Sequence, residues 1–443
     1  MNVPTRHHQP VTFFNRLLAP GAVVLTLTAA LLAVASLSGC GKNAVASSNA
    51  SIRAVNVAPE SGTLNILIDD ATTNLQSGIA YKTATGFSDV ANGSRRFRIS
   101  NSGGVIIDQT LTTAGQQKQL LVIYGGASSL GVSLLSNDIS NGATANTKIR
   151  LANYGVGLGL YDVYVVAPTV DYTTVEPIAR ATAATTYEVV AGTYGVVLTS
   201  PNTKDVLFRM PARAMDAQQA YNLALYNEGS GALPSAFWVK QNSDTAPEFL
   251  DNPVARVRAV NALSTVPTAN FFVDGTRIFS GVSYGGISNY ALTASGAKVI
   301  NYTDTANAVA TYGLNDTFAG GNDYSTFLST NPATGTPSVF RIADKLFPPT
   351  GGKVRVRLVN ASTSADLSLA LAFASVTPTI ATRTASNYVE VTGGLGTPVT
   401  VTQGAAAAPV ASLAGVDLIA GSSYSIVVSN NGNALLLTPR QDK

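Results

Sequence analysis

Ile52-Arg53-Ala54-Val55-Asn56 returns three more times along this 443-residue chain. It recurs as Ile149-Arg150-Leu151-Ala152-Asn153, as Val257-Arg258-Ala259-Val260-Asn261 and as Val356-Arg357-Leu358-Val359-Asn360, with successive arginines 97, 108 and 99 residues apart. Solenoid units run ~20–50 residues, so this period predicts four tandem domains of ordinary size. Within a strand the quintet divides into two faces. Arg53 shares one with Val55, and Ile52, Ala54 and Asn56 share the other.

Two further elements repeat. An aromatic residue precedes a short apolar run and a glycine: Phe87 with Gly93, Tyr187 with Gly192, Tyr290 with Gly296, Tyr388 with Gly393. The glycine is expected to make a hairpin turn at positive φ. The units are then expected to close on LLVIYG at 120–125, YNLALYN at 221–227 and YSIVVSN at 424–430, with the weaker Tyr324-Ser325-Thr326-Phe327-Leu328 in copy three. Short β-branched and aromatic runs separated by Gly, Asn, Ser, Thr and Pro predict antiparallel strands in a sandwich or barrel. The repeats are placed at 52–136, 147–242, 254–345 and 353–440, with linkers at 137–147, 243–253 and 346–353. Met210–Ala220 is the best candidate for a short helix.

Charged residues make up only 12% of the chain, about half the usual ~25%. Hydrophobic residues reach 46%, enough to bury a core and unlike a disordered chain. Both histidines, His7 and His8, lie near the N-terminus, and Cys40 is the sole cysteine. Residues beyond 40 therefore carry no imidazole and no thiol. This excludes Ser-His-Asp and Cys-His nucleophile systems, His/Cys zinc sites and disulfides there. Arg95-Arg96 with Arg98 is the densest basic spot, too small a cluster for nucleic-acid binding.

The N-terminal segment carries Arg6, His7, His8 and Arg16 without an acid, then the uncharged Ala22–Ala35, then Leu37-Ser38-Gly39-Cys40. Signal-peptide cores run ~7–15 residues, whereas a spanning helix needs ~20. The arrangement resembles a bacterial lipoprotein signal. On that resemblance, 1–39 is a cleaved signal peptide and Cys40 is the lipidated residue. Residues 40–51 then form a short tether, and Gly41 after the cysteine favours the outer membrane. A transmembrane anchor and a leader cleaved elsewhere are the alternatives. Each buried methylene contributes ~0.8 kcal/mol, so several acyl chains together hold a protein firmly.

The repeats resemble a family of secreted bacterial domains, the domain of unknown function 4397 family. Its members open with a Val-Arg-Val-Val-His-Ala-Ser-Pro-like strand and turn, followed by a Val-Tyr-Val-Asp-Gly-like strand. The matching stretches are IRAVNVAPESG at 52–62 with NILIDD at 65–70, and VRAVNALSTVP at 257–267 with NFFVDG at 270–275. Copies two and four have Val166 and Phe373 where Asp69 and Asp274 stand, and the family's frequent histidine is asparagine in all four copies. The resemblance implies an all-β fold of tandem immunoglobulin-like antiparallel β-sandwich domains after the signal segment. It also implies an envelope location, and it carries no established activity.

The repeated arginines Arg53, Arg150, Arg258 and Arg357 are expected to be structural, with Asp69 and Asp274 placed as partners across the hairpin. The repeated asparagines Asn56, Asn153, Asn261 and Asn360 are expected to start the following turn through their side chains. Asp69-Asp70, and Asn315-Asp316 with Asn322-Asp323, lack the spaced acid ladder of a calcium loop and read as solvated turns. Trp238 is expected in a core or a domain contact. No catalytic residue, metal or cofactor is expected. The partners foreseen are the membrane, through the lipid on Cys40, and a polysaccharide or envelope protein. The chain reads as a structural or binding module. An envelope carbohydrate-binding protein is the alternative, followed by a carboxylate-based glycosidase.

Overall fold

The computed structural model describes residues 49–443 apart from 127–129, 182–184, 230, 307–310, 405–407 and 433. The signal segment, Cys40 and the tether up to residue 48 lie outside the described residues. The described chain is all-β, with one short 3-10 turn at Tyr172–Thr174. Among the described residues no helix is long and apolar enough to cross a membrane.

Eight sheets form, two for each repeat of the quintet. Each repeat is a sandwich with its own apolar core. The first is filled by Ile52, Ala54, Leu64, Ile66, Phe97 and Ile99. The second packs Tyr161, Phe208, Met210 and Trp238; the third Phe271, Ile300, Tyr302 and Phe318; the fourth Val356, Leu369, Val401 and Ile426.

The sheets depart from the antiparallel expectation in one recurrent way. The opening strand Ala50–Asn56 runs parallel to Lys118–Tyr124, as do Asn146–Asn153 with Gln219–Asn227, Val254–Asn261 with Asp323–Thr330, and Lys353–Asn360 with Ser423–Asn431. The runs expected to close each unit are these parallel partners. One more antiparallel strand follows each of them, such as Pro234–Lys240.

Burial explains why these strands read as continuous apolar runs. Gln219–Asn227 is buried along nearly its whole length, as befits a strand covered on both faces. The opposing sheets face water on one side and alternate: Thr311–Phe318 switches between exposed and covered at each residue until Phe318.

Three local expectations are corrected. Met210–Ala220 is no helix. Val206–Met215 is a strand with Phe208, Met210 and Met215 inward, and Gln219 opens the next strand. Phe208 and Met210 fall at strand spacing, an irregularity in register brings Met215 to the same face, and Gln218 turns the chain at φ 56°. The linker 243–253 holds the strand Glu248–Leu250, which extends a sheet of the second sandwich, and Leu346 and Phe347 of the linker 346–353 are buried. Gly93 and Gly296 take φ of 99° and 104°, yet they make no hairpin. The strand before each belongs to the sheet of the opening strand, and the strand after each belongs to the opposing sheet. The glycine marks a crossing between layers.

Candidate functional site

Strand alternation places Ile52 and Ala54 inside the first sandwich and turns Arg53 and Val55 outward, where they meet another sandwich. Val55, Val57, Leu120, Val122 and Leu135 of the first form one buried cluster with Ala152, Ala224, Tyr226, Phe237 and Val239 of the second. Val260, Ala262, Phe327 and Phe340 of the third do the same with Val359, Ala361 and Val427 of the fourth. The sandwiches therefore associate in pairs, one with two and three with four, through the mixed sheets. The repeated arginine sits on the same outward face in each copy.

In the second pair the arginines are exchanged. Arg258 of the third sandwich donates from Nε to Ser325 Oγ at 2.6 Å and reaches Asp442 Oδ1 of the fourth with Nη1 at 2.6 Å. Arg357 of the fourth donates from Nε to Ser425 Oγ at 2.8 Å and bonds through Nη2 to Asp344 Oδ1 of the third. Each carboxylate is held from its own side. Asp344 Oδ2 accepts from Ser325 Oγ and Tyr290 Oη, both at 2.6 Å. Asp442 Oδ2 accepts from Ser425 Oγ at 2.6 Å and Tyr388 Oη at 2.8 Å. Each guanidinium also lies 4.7 Å from a ring centroid, Arg258 over Tyr290 and Arg357 over Tyr388.

The cluster is almost dry, with Arg258 and Arg357 each 2% exposed. Burial alone would raise the Asp344 carboxyl. The charges of Arg357 and Arg258, with the hydroxyls of Ser325 and Tyr290, hold it below the usual range. Removing water from such ions costs several kcal/mol each, returned only when the geometry is good and the remaining bonds are made. Both oxygens of Asp344 and Oδ2 of Asp442 accept hydrogen bonds, whereas the buried Asp442 Oδ1 has only its ion pair with Arg258.

The first pair repeats the exchange with weaker acceptors. Arg53 crosses to the backbone oxygens of Thr245 at 2.6 Å and Asp244 at 2.7 Å, with Phe87 at 4.2 Å. Arg150 crosses to Asp138 Oδ1 at 2.6 Å and Ser136 O at 2.5 Å, and its Nε bonds Asn222 Oδ1 at 2.8 Å. Carbonyls and one exposed carboxylate stand where the second pair has two buried acids.

The partners read across the hairpin are elsewhere. Asp69 pairs with Arg95 at 3.3 Å and accepts from the Arg96 N–H; Asp274 pairs with Lys298 at 2.8 Å and accepts from the Val299 N–H. Both aspartates take φ 50° at the turn after the second strand, a conformation that aspartate tolerates better than most residues. The four asparagines each accept from the N–H two residues on: Asn56 from Ala58, Asn153 from Gly155, Asn261 from Leu263, Asn360 from Ser362. Asn315 and Asp316 lie in a strand, where Asp316 pairs with Arg341 at 2.7 Å. Asp323 pairs with Arg256. Trp238 stacks on Tyr221 at 5.0 Å in the second core.

One repeat element is displaced. Phe87, Tyr290 and Tyr388 stand beside the arginine, but Tyr187 pairs with Ile149 and turns into the core, leaving Thr186 opposite Arg150. Sequence reading missed Ser325, Asp344, Ser425 and Asp442. Their signal is a second-order repeat confined to copies three and four: Tyr324-Ser325 against Tyr424-Ser425, and an aspartate at or just after the final strand's end.

A family model described as Domain of unknown function (DUF4397) matches residues 50–164 and 255–367, together half of the chain. The chain belongs to this family. Each DUF4397 match begins at the first or second residue of the opening strand of a pair's first sandwich and runs into the second sandwich. No functionally curated protein matches the chain. Among solved structures, the Bacillus anthracis TIE protein aligns over 84% of this chain and 68% of that chain at 11% identity. The TM-score is 0.15, a superposition too loose to carry any inference.

Proposed function

We propose that this DUF4397 protein is a lipid-anchored module of the bacterial cell envelope, held at the outer membrane through Cys40, with a structural or binding role and no catalysis of its own. The observation that supports the structural part is the use of all four repeated arginines. Each bridges from its own sandwich to the paired one, so the most regular feature of the sequence goes into holding sandwiches together. Sandwiches joined in pairs in this way suit a spacer or display platform.

The anchor is tested by metabolic labelling with an alkyne fatty acid, comparing wild type with Cys40→Ser. Label on the wild type and none on the variant is the expected result, and equal labelling overturns the anchor. The structural role is tested in the envelope itself. Cross-linking is expected to capture envelope components around the wild-type protein and fewer around the unanchored variant.

A further inference from the structure

The second sandwich departs from the other three in one loop. Its strand Tyr161–Val166 is joined to Ala179–Ala181 by residues 167–178, where the first, third and fourth sandwiches connect the same two strands through 69–75, 274–275 and 372–373. Binding residues concentrate on long connections held by a rigid scaffold.

The loop is folded and pinned. Asp171 accepts from the Thr173 N–H at 2.9 Å and starts the 3-10 turn. Lys204, from the loop before Val206–Met215, donates its Nζ to the carbonyls of Val175 at 2.9 Å and Tyr172 at 3.3 Å and to the Tyr164 hydroxyl at 3.1 Å. Tyr172 Oη returns a bond to the Lys204 carbonyl at 3.0 Å. Tyr164 is 2% exposed, although strand alternation turns it away from the core that takes Val163.

Beside this strap lies a cavity of about 310 Å³, lined by Val166, Val170, Ile178, Tyr164, Tyr194 and Glu176 among others. Val170 and Ile178 are still 41% and 44% exposed there, apolar surface that the folded loop leaves uncovered. Glu176 is the one acid in the lining, and among the described residues no cation pairs with it. The ammonium of Lys204 is already taken up by the loop's own carbonyls.

We propose that this cavity binds a small aromatic amine, its ring among the valines, Ile178 and the tyrosines, and its ammonium toward Glu176. A dry apolar cavity of ~150 Å³ takes benzene, so about 310 Å³ holds a ring with a short aminoalkyl arm. Tyrosine faces attract both a second ring and a cation. The acid then sets the sign of the charged group. This adds a ligand to the scaffold reading and rests on neither the lipid nor the exchanged arginines, so failure of one test leaves the other standing.

The test is equilibrium dialysis of the full chain in detergent against phenethylamine, 2-phenylethanol, 3-phenylpropionate and ethylamine. Ala167→Phe puts a ring into the cavity from its own wall, and in the same detergent it serves as the reference for uptake by micelles. Phenethylamine is expected to bind about two- to fivefold more tightly than the alcohol, the worth of an exposed ion pair, and at least about tenfold more tightly than ethylamine. Glu176→Gln is expected to bring phenethylamine and phenylethanol level. Fluorescence of Trp238 reports whether the second core is intact in each variant. Should Ala167→Phe not fold, detergent alone becomes the reference and Glu176→Gln carries the test. No phenethylamine binding above the reference, phenylpropionate binding as tightly, or an unchanged preference in Glu176→Gln each overturns the proposal. Ethylamine equal to phenethylamine overturns the assignment to a ring. A wild-type dimer that phenethylamine splits into monomers would put a second copy's side chain in the cavity and overturn the small-ligand reading.

Discussion

Replacing Asp344 with asparagine removes one charge from the exchanged pair and almost no volume. The amide keeps an oxygen for Ser325 and Tyr290, but Arg357 loses its counter-ion, and Arg258 loses the second acid, 3.8 Å away. Two guanidinium groups, each 2% exposed, are then left to share Asp442. Breaking a buried pair from one side costs about 3–5 kcal/mol, because the survivor stays desolvated. The comparison is Asp316→Asn, which breaks a 2.7 Å pair with Arg341 whose side chains are 26% and 27% exposed; such a pair is worth about 1 kcal/mol or less.

The assay is urea unfolding of both variants, followed by fluorescence. With m of about 2 kcal/mol/M for a unit of this size, Asp344→Asn is expected to lower the midpoint of the third and fourth sandwiches by about 2 M. Asp316→Asn should move it by less than about 0.5 M. The sign with pH follows from the depressed carboxyl. Its unfolded value is 3.8, so its contribution is full above that and is lost as pH falls through the lower folded value. The gap between wild type and Asp344→Asn should therefore narrow below about pH 4. Equal midpoints for the two variants, or a gap that widens in acid, would refute the reasoning.

Lys443 places its Nζ on the carbonyls of Gly157 at 3.1 Å and Gly231 at 2.6 Å, and burial lowers its pKa from 10.5 to about 8. The unfolded chain binds the extra proton between those values, so wild-type stability measured against Lys443→Met should rise from pH 8 to 10.5, by up to about 3 kcal/mol. Asn261 donates from Nδ2 to the buried carbonyls of Val266 at 2.8 Å and Val282 at 3.2 Å. Asn261→Ala orphans both and should cost about 2–3 kcal/mol in chemical unfolding, against under 0.5 kcal/mol for a surface change. Gly320 allows the backbone to pass so close that a Cβ there would lie 1.6 Å from the Asn252 carbonyl oxygen. Gly320→Ala should lower the melting temperature by several degrees, a cost of at least about 1–3 kcal/mol.

The strands were legible because Ile52, Ala54 and their repeats alternate with outward residues, and period alone fixes a strand's two faces. The parallel pairing was not legible, since a strand covered on both faces, such as Gln219–Asn227, shows no alternation to orient it. Arg53 and its repeats were readable as structural, but the partner was sought across the nearest hairpin. The true acids of Arg357 and Arg258, Asp344 and Asp442, lie in different sandwiches from the arginines they serve, and nothing local in the sequence encodes a contact made across 13 residues in one case and 184 in the other. Tyr187 misled for a simpler reason. It stands one residue from Thr186, and a slip of one places a side chain on the opposite face.

The exchange of arginines has a consequence for how such proteins change length. A chain that lost its fourth sandwich would take Asp442 from Arg258, leaving it only Asp344 at 3.8 Å, and would open the apolar patch around Phe327 and Phe340 to water. Losing the third would take from Arg357 its direct partner, Asp344. Gain or loss of a single repeat is thus penalised from both sides, whereas a step of two carries a complete set of contacts with it. Relatives built on this plan are expected to hold even numbers of sandwiches, with recombination points falling between pairs, near residues 243–253, rather than within them.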